Sequence, residues 1–507
     1  MTRDDTSLRS LGGKTLSRAV QQGGTAIFLA QLVSQILSLV ALGILLRTLG
    51  LEPYGLVGMV LPLLAFVRIF VYSGLDVAAI QHTEINDQQA SALFWTQQIL
   101  GLAGAIFIAC AAPWVARFYG RPELLPLTLA LSGTTLVTTL GAQHQAMLQR
   151  KMALPTLSAI RVLSQLVGAG VAVVAALLGA GVWTLIIQQY AEPLASTFLA
   201  WGVTGWRPKW ILRRTGSREL LRFGGHYTLS SLLLFLVSNV DKILVGRFLG
   251  TQAMALYGQA FNLAQKPVSL VVSPLTGIML PALAHARSRP EEYRTYAAGF
   301  FRFLAWSMLP CGIGLSLVGR ETMIVLGGTQ WQSAGPVLQI LALLIPAQAF
   351  FNVMGSLYAS VGRADQMARA CIPVAIVTSL SFLITVLSCA GQLEGVIVLS
   401  WVYLIVFGLL VVPAYVAWAF RCAGLPLGLL VTAARPAVGG SLLMAAAVMT
   451  ADATLRHGGV ASPWITLPVK IVVGCVVYFL ATRRELLYYA KGAIGGIRPL
   501  REEQPSP

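Results

Sequence analysis

The sequence predicts an all-α protein that crosses a membrane about fourteen times, and three observations predict it. Of its 507 residues 56% are hydrophobic and 11% charged, with a mean hydropathy of +0.74, whereas roughly a quarter of residues are charged in soluble domains. The apolar residues are gathered into runs of about twenty, the length an α-helix needs to cross a hydrocarbon layer about 30 Å thick. Lys and Arg fall in alternate gaps between those runs, as the positive-inside rule requires of cytoplasmic loops.

The first run, 25–47, follows a basic N-terminal segment and closes at Arg47; the second, 54–78, opens after the Gly50 to Pro53 break. Polar or charged stretches then precede 91–112, 124–146 and 156–178, and the Gly179-Ala180-Gly181 turn precedes 181–203. A long polar stretch separates these six from eight more: 224–247, 257–284, 296–318, 334–358, 369–390, 394–418, 426–450 and 462–482. Each gap carries charge, Gly or Pro, the residues that end apolar helices.

With a cytoplasmic N-terminus, the inside segments hold Arg3, Arg9, Lys14 and Arg18, then Arg150 and Lys151, then Arg207, Lys209, Arg213, Arg214, Arg218 and Arg222. Later inside segments add Arg287, Arg289, Arg294, Arg363, Arg369 and Arg421, and the tail adds Arg483, Arg484, Lys491, Arg498 and Arg501. The outside segments hold six: Arg47, Arg117, Arg121, Arg247, Arg320 and Arg456. That asymmetry places both termini inside, demands an even number of spans, and accounts for the net charge of +17 without a nucleic-acid partner. No short apolar stretch ending in a small-residue cleavage site precedes the first run, so targeting falls to the first helix. The six cysteines lie in or beside apolar stretches without metal-ligand spacing and read as packing residues.

The polar stretch at 204–223 divides the chain into a cytoplasmic N-terminal segment (1–24), a first lobe of six helices (25–203), the linker itself, a second lobe of six (224–418), two further helices (419–482) and a cytoplasmic tail (483–507). A repeat supports the cut. Leu45-Leu46-Arg47-Thr48-Leu49-Gly50 followed by Tyr54-Gly55 returns about 200 residues later as Val245-Gly246-Arg247-Phe248-Leu249-Gly250 followed by Tyr257-Gly258. Both copies join the first helix of their half to the second, as expected of parallel repeats about an axis along the membrane normal.

Charges inside spans are costly and usually face a bundle interior or a water-filled path. Here they are Arg68, Asp76, Arg161 and Glu192 in the first half, Asp241, Lys242, Lys266 and Arg302 in the second, and Arg435 and Lys470 in the last two helices. Arg68 and Lys266 sit well inside the second helix of their halves, where snorkelling is hardest. Arg68, Lys266, Arg302 and Lys242 are the candidates for a cationic cavity, since Arg and Lys attract an anionic headgroup and Arg grips phosphate oxygens in pairs. Asp76, Glu192 and Asp241 are candidates for binding H⁺ or Na⁺ and coupling its gradient to transport. Structural ion pairing is the competing reading throughout: Asp241 adjoins Lys242, and Asp76 lies two turns from Arg68.

Prolines within spans, Pro193, Pro267, Pro274, Pro281, Pro310, Pro346 and Pro373 among them, suit bent helices. Trp183, Trp206, Trp210, Trp331 and Trp464 fall near expected interfaces and read as belt residues. No catalytic residues, metal ligands or cofactor motif emerge. Gly13-Lys14-Thr15 has Leu8 where a phosphate-binding loop needs glycine, and the histidines are scattered.

The run from Asn239 to Gly250, with Tyr257-Gly258 and Leu280-Pro281-Ala282-Leu283, resembles the polysaccharide-transporter branch of the multidrug/oligosaccharidyl-lipid/polysaccharide exporter superfamily. Leu49-Gly50, Tyr54-Gly55, Gly74-Leu75, Ala78 to Gln81 and Arg150 extend the likeness over most of the chain. The resemblance implies two six-helix lobes around a central cavity plus two C-terminal helices. It also implies a flippase for undecaprenyl-pyrophosphate-linked oligosaccharide in exopolysaccharide, capsule or O-antigen assembly at the bacterial inner membrane, working by alternating access beside polymerase or export machinery. Competing readings are a multidrug or metabolite exporter of the same fold, a lipid II flippase, and a membrane glycan polymerase or ligase. The surplus of embedded cations disfavours the first, and the lack of a large outside loop the last.

Overall fold

The computed structural model describes residues 33–72, 87–151, 153–210, 235, 238–460, 462–483 and 485. Its elements are helices: α1 (Val33–Leu49), α2 (Leu51–Tyr72), α3 (Asp87–Tyr119), α4 (Leu124–Arg150), α5 (Leu154–Leu177), α6 (Trp183–Thr204) and α7 (238–249). Then come α8 (Gly250–Ala286), α9 (Pro290–Gly327), the bent α10 (Ala334–Ala342 and Ile345–Ser360), α11 (Ala364–Ser388), α12 (Gly395–Ala423), α13 (Gly428–His457) and α14 (Pro463–Ala481).

Among the described residues ten helices are long and apolar enough to cross a membrane, or eleven with the bent pair as one span. The expected number was fourteen, and α1, α6 and α7 account for the difference. α1 is described over 17 residues only. α6 carries Gln188, Gln189 and Glu192, which make it less apolar than its neighbours. α7 and α8 count together as one run of 49 residues, which as a single straight helix would be about 74 Å long, more than twice the hydrocarbon thickness. The run breaks at Gly250, where φ is +90° after a π-helical turn over Val245–Leu249. Gly50, between α1 and α2, has φ +73°. The two copies of the sequence repeat thus make the same kind of turn, in a conformation that favours glycine.

α2 through α6 pack on one another, α8 through α12 form a second bundle, and α2 packing along α8 joins them. Small residues permit the close approach. A Cβ on Gly55 would collide with the Thr251 backbone, and one on Gly58 would touch Met254. α13 and α14 pack on α9 through ionic contacts at two levels. Lys470 of α14 is buried with its Nζ 2.6 Å from both Glu321 of α9 and Asp452 of α13, and Asp452 also meets Arg456 at 2.8 Å. Toward the other end of α9, Arg302 pairs with Glu485, and the Tyr478 hydroxyl donates to the Trp306 carbonyl at 2.6 Å.

At the end of the bundle where α1 runs into α2, the two halves are tied together. Arg47 donates to the Val325 and Leu326 carbonyls of α9 at 2.7 and 3.1 Å. Trp331 Nε1 and Gln330 Nε2 donate to the Leu46 carbonyl at 3.0 and 2.9 Å. Trp331 is therefore no belt residue: it is fully buried and meets Tyr54 edge to face. Trp464, by contrast, is exposed, with Arg47 over its ring at 5.1 Å.

Candidate functional site

Beneath that closure lies a cavity of about 490 Å³ lined by α1, α2, α6, α7 and α8. Its polar wall consists of Arg68 from α2, Gln188 and Gln189 from α6, Asn239 and Lys242 from α7, and Gln259 and Asn262 from α8. Leu45, Tyr54 and Met254 line it as well. Two cations and a ring of neutral amides are brought together from four helices distant in sequence. Amides in a membrane interior need partners, and a hydrated or oxygen-rich ligand supplies them.

Arg68 makes no ion pair within 4 Å among the described residues, although it lies close enough to Glu192 to act on it electrostatically. Glu192 follows Gln188 by four residues and so shares its helix face one turn further along α6. Lys242 is held in place from three sides. Its Nζ donates to the Ser238 carbonyl at 2.6 Å, lies 3.9 Å from Asp241 Oδ1, and sits 4.3 Å from the centre of the Phe261 ring. Asp241 is 1% exposed; its Oδ2 accepts a 2.7 Å hydrogen bond from the Tyr257 hydroxyl, and its Oδ1 accepts none. Tyr403, which opens a π-helical turn in α12, stacks on Phe261 with ring centres 6.4 Å apart. Asp241 and Lys242 thus face different surroundings, one the packed second bundle and the other the cavity.

Lys266 is half-buried four residues beyond Asn262, on the same face of α8 as that cavity residue but outside the lining itself. Arg302 lies elsewhere. It points to Glu485 beyond the end of α14, a partner more than 180 residues away that no local pattern announces. Asp76 lies outside the described residues. The amides Gln188, Gln189, Gln259 and Asn262 carry no charge and so do not stand out in the sequence as embedded ions do. Their signal is spacing: Gln188 with Glu192, and Asn262 with Lys266, each pair one helical turn apart inside an apolar run. Among the described residues no group of three or more His, Cys, Asp or Glu is placed to hold a metal ion.

Residues 44–336, more than half of the chain and including Arg68, Glu192, Asp241, Lys242, Lys266 and Arg302, match the model of a family described as polysaccharide biosynthesis protein. The chain belongs to that family. Similar proteins include the teichuronic acid biosynthesis protein TuaB of Bacillus subtilis, 28% identical over 67% of this chain and 70% of the relative. The succinoglycan biosynthesis transport protein ExoT of Rhizobium meliloti is 26% identical over 89% of this chain and 90% of its own. Among solved structures, the lipid II flippase MurJ in an inward closed conformation aligns with a TM-score of 0.69 at 12% identity, covering 92% of this chain and 99% of that one. An inward-facing multidrug resistance MATE transporter of the MOP superfamily aligns with a TM-score of 0.60 at 16% identity, over 77% and 95%. At such identities the likeness is one of fold, and it gives this family member the all-α fold of MOP exporters. The chain is a multi-pass membrane protein.

Proposed function

We propose that this chain is a flippase that carries undecaprenyl-pyrophosphate-linked oligosaccharide repeat units across the bacterial inner membrane by alternating access, for exopolysaccharide, capsule or O-antigen synthesis. The observation that carries the reading is the cavity that places Arg68 and Lys242 among five neutral amides. A diphosphate needs cationic fork-like donors, and a sugar needs neutral donors and acceptors, which Asn and Gln both supply. A cavity for cationic drugs calls for the opposite sign. Family membership and relatives named for the biosynthesis of teichuronic acid and the transport of succinoglycan support the same reading, a transporter rather than an enzyme.

In this reading both termini are cytoplasmic, as the Lys and Arg distribution argues. The tied end of the bundle is then the periplasmic one, and the cavity receives its substrate from the cytoplasmic side. Lys266 and Glu192, one turn inward of the cavity wall, stand on the entry path, and Glu192 or Asp241 takes the coupling H⁺ or Na⁺. Polymerase or export machinery would accept the flipped unit.

The test is glycan export in a deletion strain complemented with wild type or with Arg68→Ala, Lys242→Ala or Lys266→Ala, with membrane levels matched by blot. The expected outcome is accumulation of lipid-linked oligosaccharide on the inner face of the deletion strain, and failure of well-expressed Arg68→Ala to relieve it. Normal glycan export from the deletion strain would overturn the proposal and favour a drug or metabolite exporter.

A further inference from the structure

A second cavity, about 320 Å³, lies beside the cationic one, between α2, α3 and α7. Its wall is built of apolar and aromatic side chains, among them Pro62, Phe66, Ala111, Trp114, Phe118 and Ile243. Trp114 and Phe118 are 72% and 46% exposed, so the pocket opens at the outer surface of the bundle, which in a membrane is the lipid side. Its inner boundary is shared with the cationic cavity. Pro62 lines both, and on α7 Lys242 faces the cationic cavity while its neighbour Ile243 faces the pocket, as successive residues about 100° apart on a helix do. The partition is therefore one proline and one helix thick. Pro62 also lacks the N–H that would tie α2 to the Gly58 carbonyl, which loosens the helix at the partition itself.

We infer that this pocket holds the first isoprene units of the transported lipid while its diphosphate is held at Lys242 and Arg68. The inference rests on the flippase reading and extends it. A soluble anion would use the cationic cavity and have no need of an apolar annex. A bulk phospholipid keeps its headgroup at the membrane surface, so its chains do not begin beside a lysine at the depth of Lys242. A lipid whose headgroup enters the cavity must bring its chain out between helices, and the α2–α7 partition is where an apolar receptacle adjoins a cation. The aromatic walls supply large, rigid contact area to a flat, methyl-branched chain.

The experiment is photolabelling of the purified full chain in phosphatidylcholine liposomes with a prenyl diphosphate carrying a diazirine on its first isoprene units, mapped by mass spectrometry. Expected are crosslinks on Trp114, Phe118 or Ile243 that excess undecaprenyl phosphate competes away. Filling the pocket with Ala111→Trp should lower them about tenfold, since excluding about two methylene equivalents of chain is enough for that. Ile106→Trp, which adds the same ring to an exposed position on α3 outside the pocket, should leave them unchanged. Val115→Phe serves if Ala111→Trp does not fold. Competable crosslinks elsewhere would overturn the pocket and leave the flippase reading standing. Uncompetable crosslinks in the pocket, matched by a diazirine phosphatidylcholine, would mean that it holds bulk lipid and would also overturn the inference. No competable crosslink anywhere would overturn the flippase reading with it.

Discussion

Arg68 and Lys242 approach the cavity with different freedom, and their substitution should separate accordingly. Arg68 has no ion-pair partner within 4 Å among the described residues, so its guanidinium is available to a ligand, whereas Lys242 is oriented by the Ser238 carbonyl and the Phe261 ring. Hydrogen bonds to charged groups contribute about 1.5–3 kcal/mol. Arg68→Ala should thus lower the initial flipping rate in proteoliposomes at subsaturating substrate by about tenfold to a hundredfold. Arg68→Lys, which keeps the charge and loses the fork, should fall between; equal rates for all three proteins would remove Arg68 from the site. Asp241 presents the other question. With Tyr257 donating to Oδ2 and Oδ1 without a hydrogen bond, it is built either to anchor Lys242 or to exchange a cation. Asp241→Asn should abolish the response of transport to an imposed H⁺ or Na⁺ gradient while lipid-driven exchange persists, and a retained response would assign Asp241 to anchoring. These two roles were both open in the sequence, because Asp241 next to Lys242 reads equally as a pair or as two separate groups. What decides their surroundings is Tyr257, sixteen residues away on the next helix, and Phe261 one turn further on.

Among the elements, the apolar runs were legible because the lipid imposes one rule on all of them: about twenty residues without exposed polar backbone. The ends were not. α3, α8 and α9 extend to 33, 37 and 38 residues, since a helix continues past the hydrocarbon edge wherever its polar residues can reach water, and apolarity does not register that. The bend of 48° in α10 falls just before Pro346, where Gly312 of α9 leaves room for the proline ring. Lys470 was visible as an embedded charge, but its partners Glu321 and Asp452 lie near helix ends and looked like ordinary terminal residues. Their convergence explains how α13 and α14 hold to α9. Lys470→Met should therefore take from the half-buried Glu321 and Asp452 their shared cation, with Asp452 keeping Arg456, and destabilise the protein by about 1–3 kcal/mol, read as a lower unfolding midpoint in detergent. Adding Glu321→Gln and Asp452→Asn should restore much of that loss. A Lys470→Met protein as stable as wild type would mean that packing alone holds the pair.

Across the whole molecule, the repeat found in the sequence and the closure found in the structure concern the same place. The turns at Gly50 and Gly250 bring the opening segments of α2 and α8 face to face, with Gly55 against Thr251, while Arg47 stitches α1 to α9, and Gln330 and Trp331 stitch it to the turn that follows α9. All these contacts lie on one side of the cavity, so alternating access requires that they part as a set while contacts form on the other side. The hydrogen bonds run from side chains to backbone carbonyls, those of Gln330 and Trp331 contributing only about 1 kcal/mol net each and those of the charged Arg47 about 1.5–3 kcal/mol, which suits a closure that must open repeatedly. A covalent tie should stop the cycle. A Cβ on Gly43 would lie 3.9 Å from the Leu326 Cα, which keeps the two Cα atoms within the roughly 7 Å that a disulfide can bridge, and the two residues belong to α1 and α9. Gly43→Cys/Leu326→Cys, made with the six native cysteines replaced, should crosslink under mild oxidation, lose flipping in proteoliposomes, and regain it when dithiothreitol is added. The single-cysteine controls should be insensitive to both treatments. If the oxidised double variant is fully crosslinked and still flips at the wild-type rate, this end of the bundle does not open during transport, and the substrate must leave the cavity by a lateral route between helices.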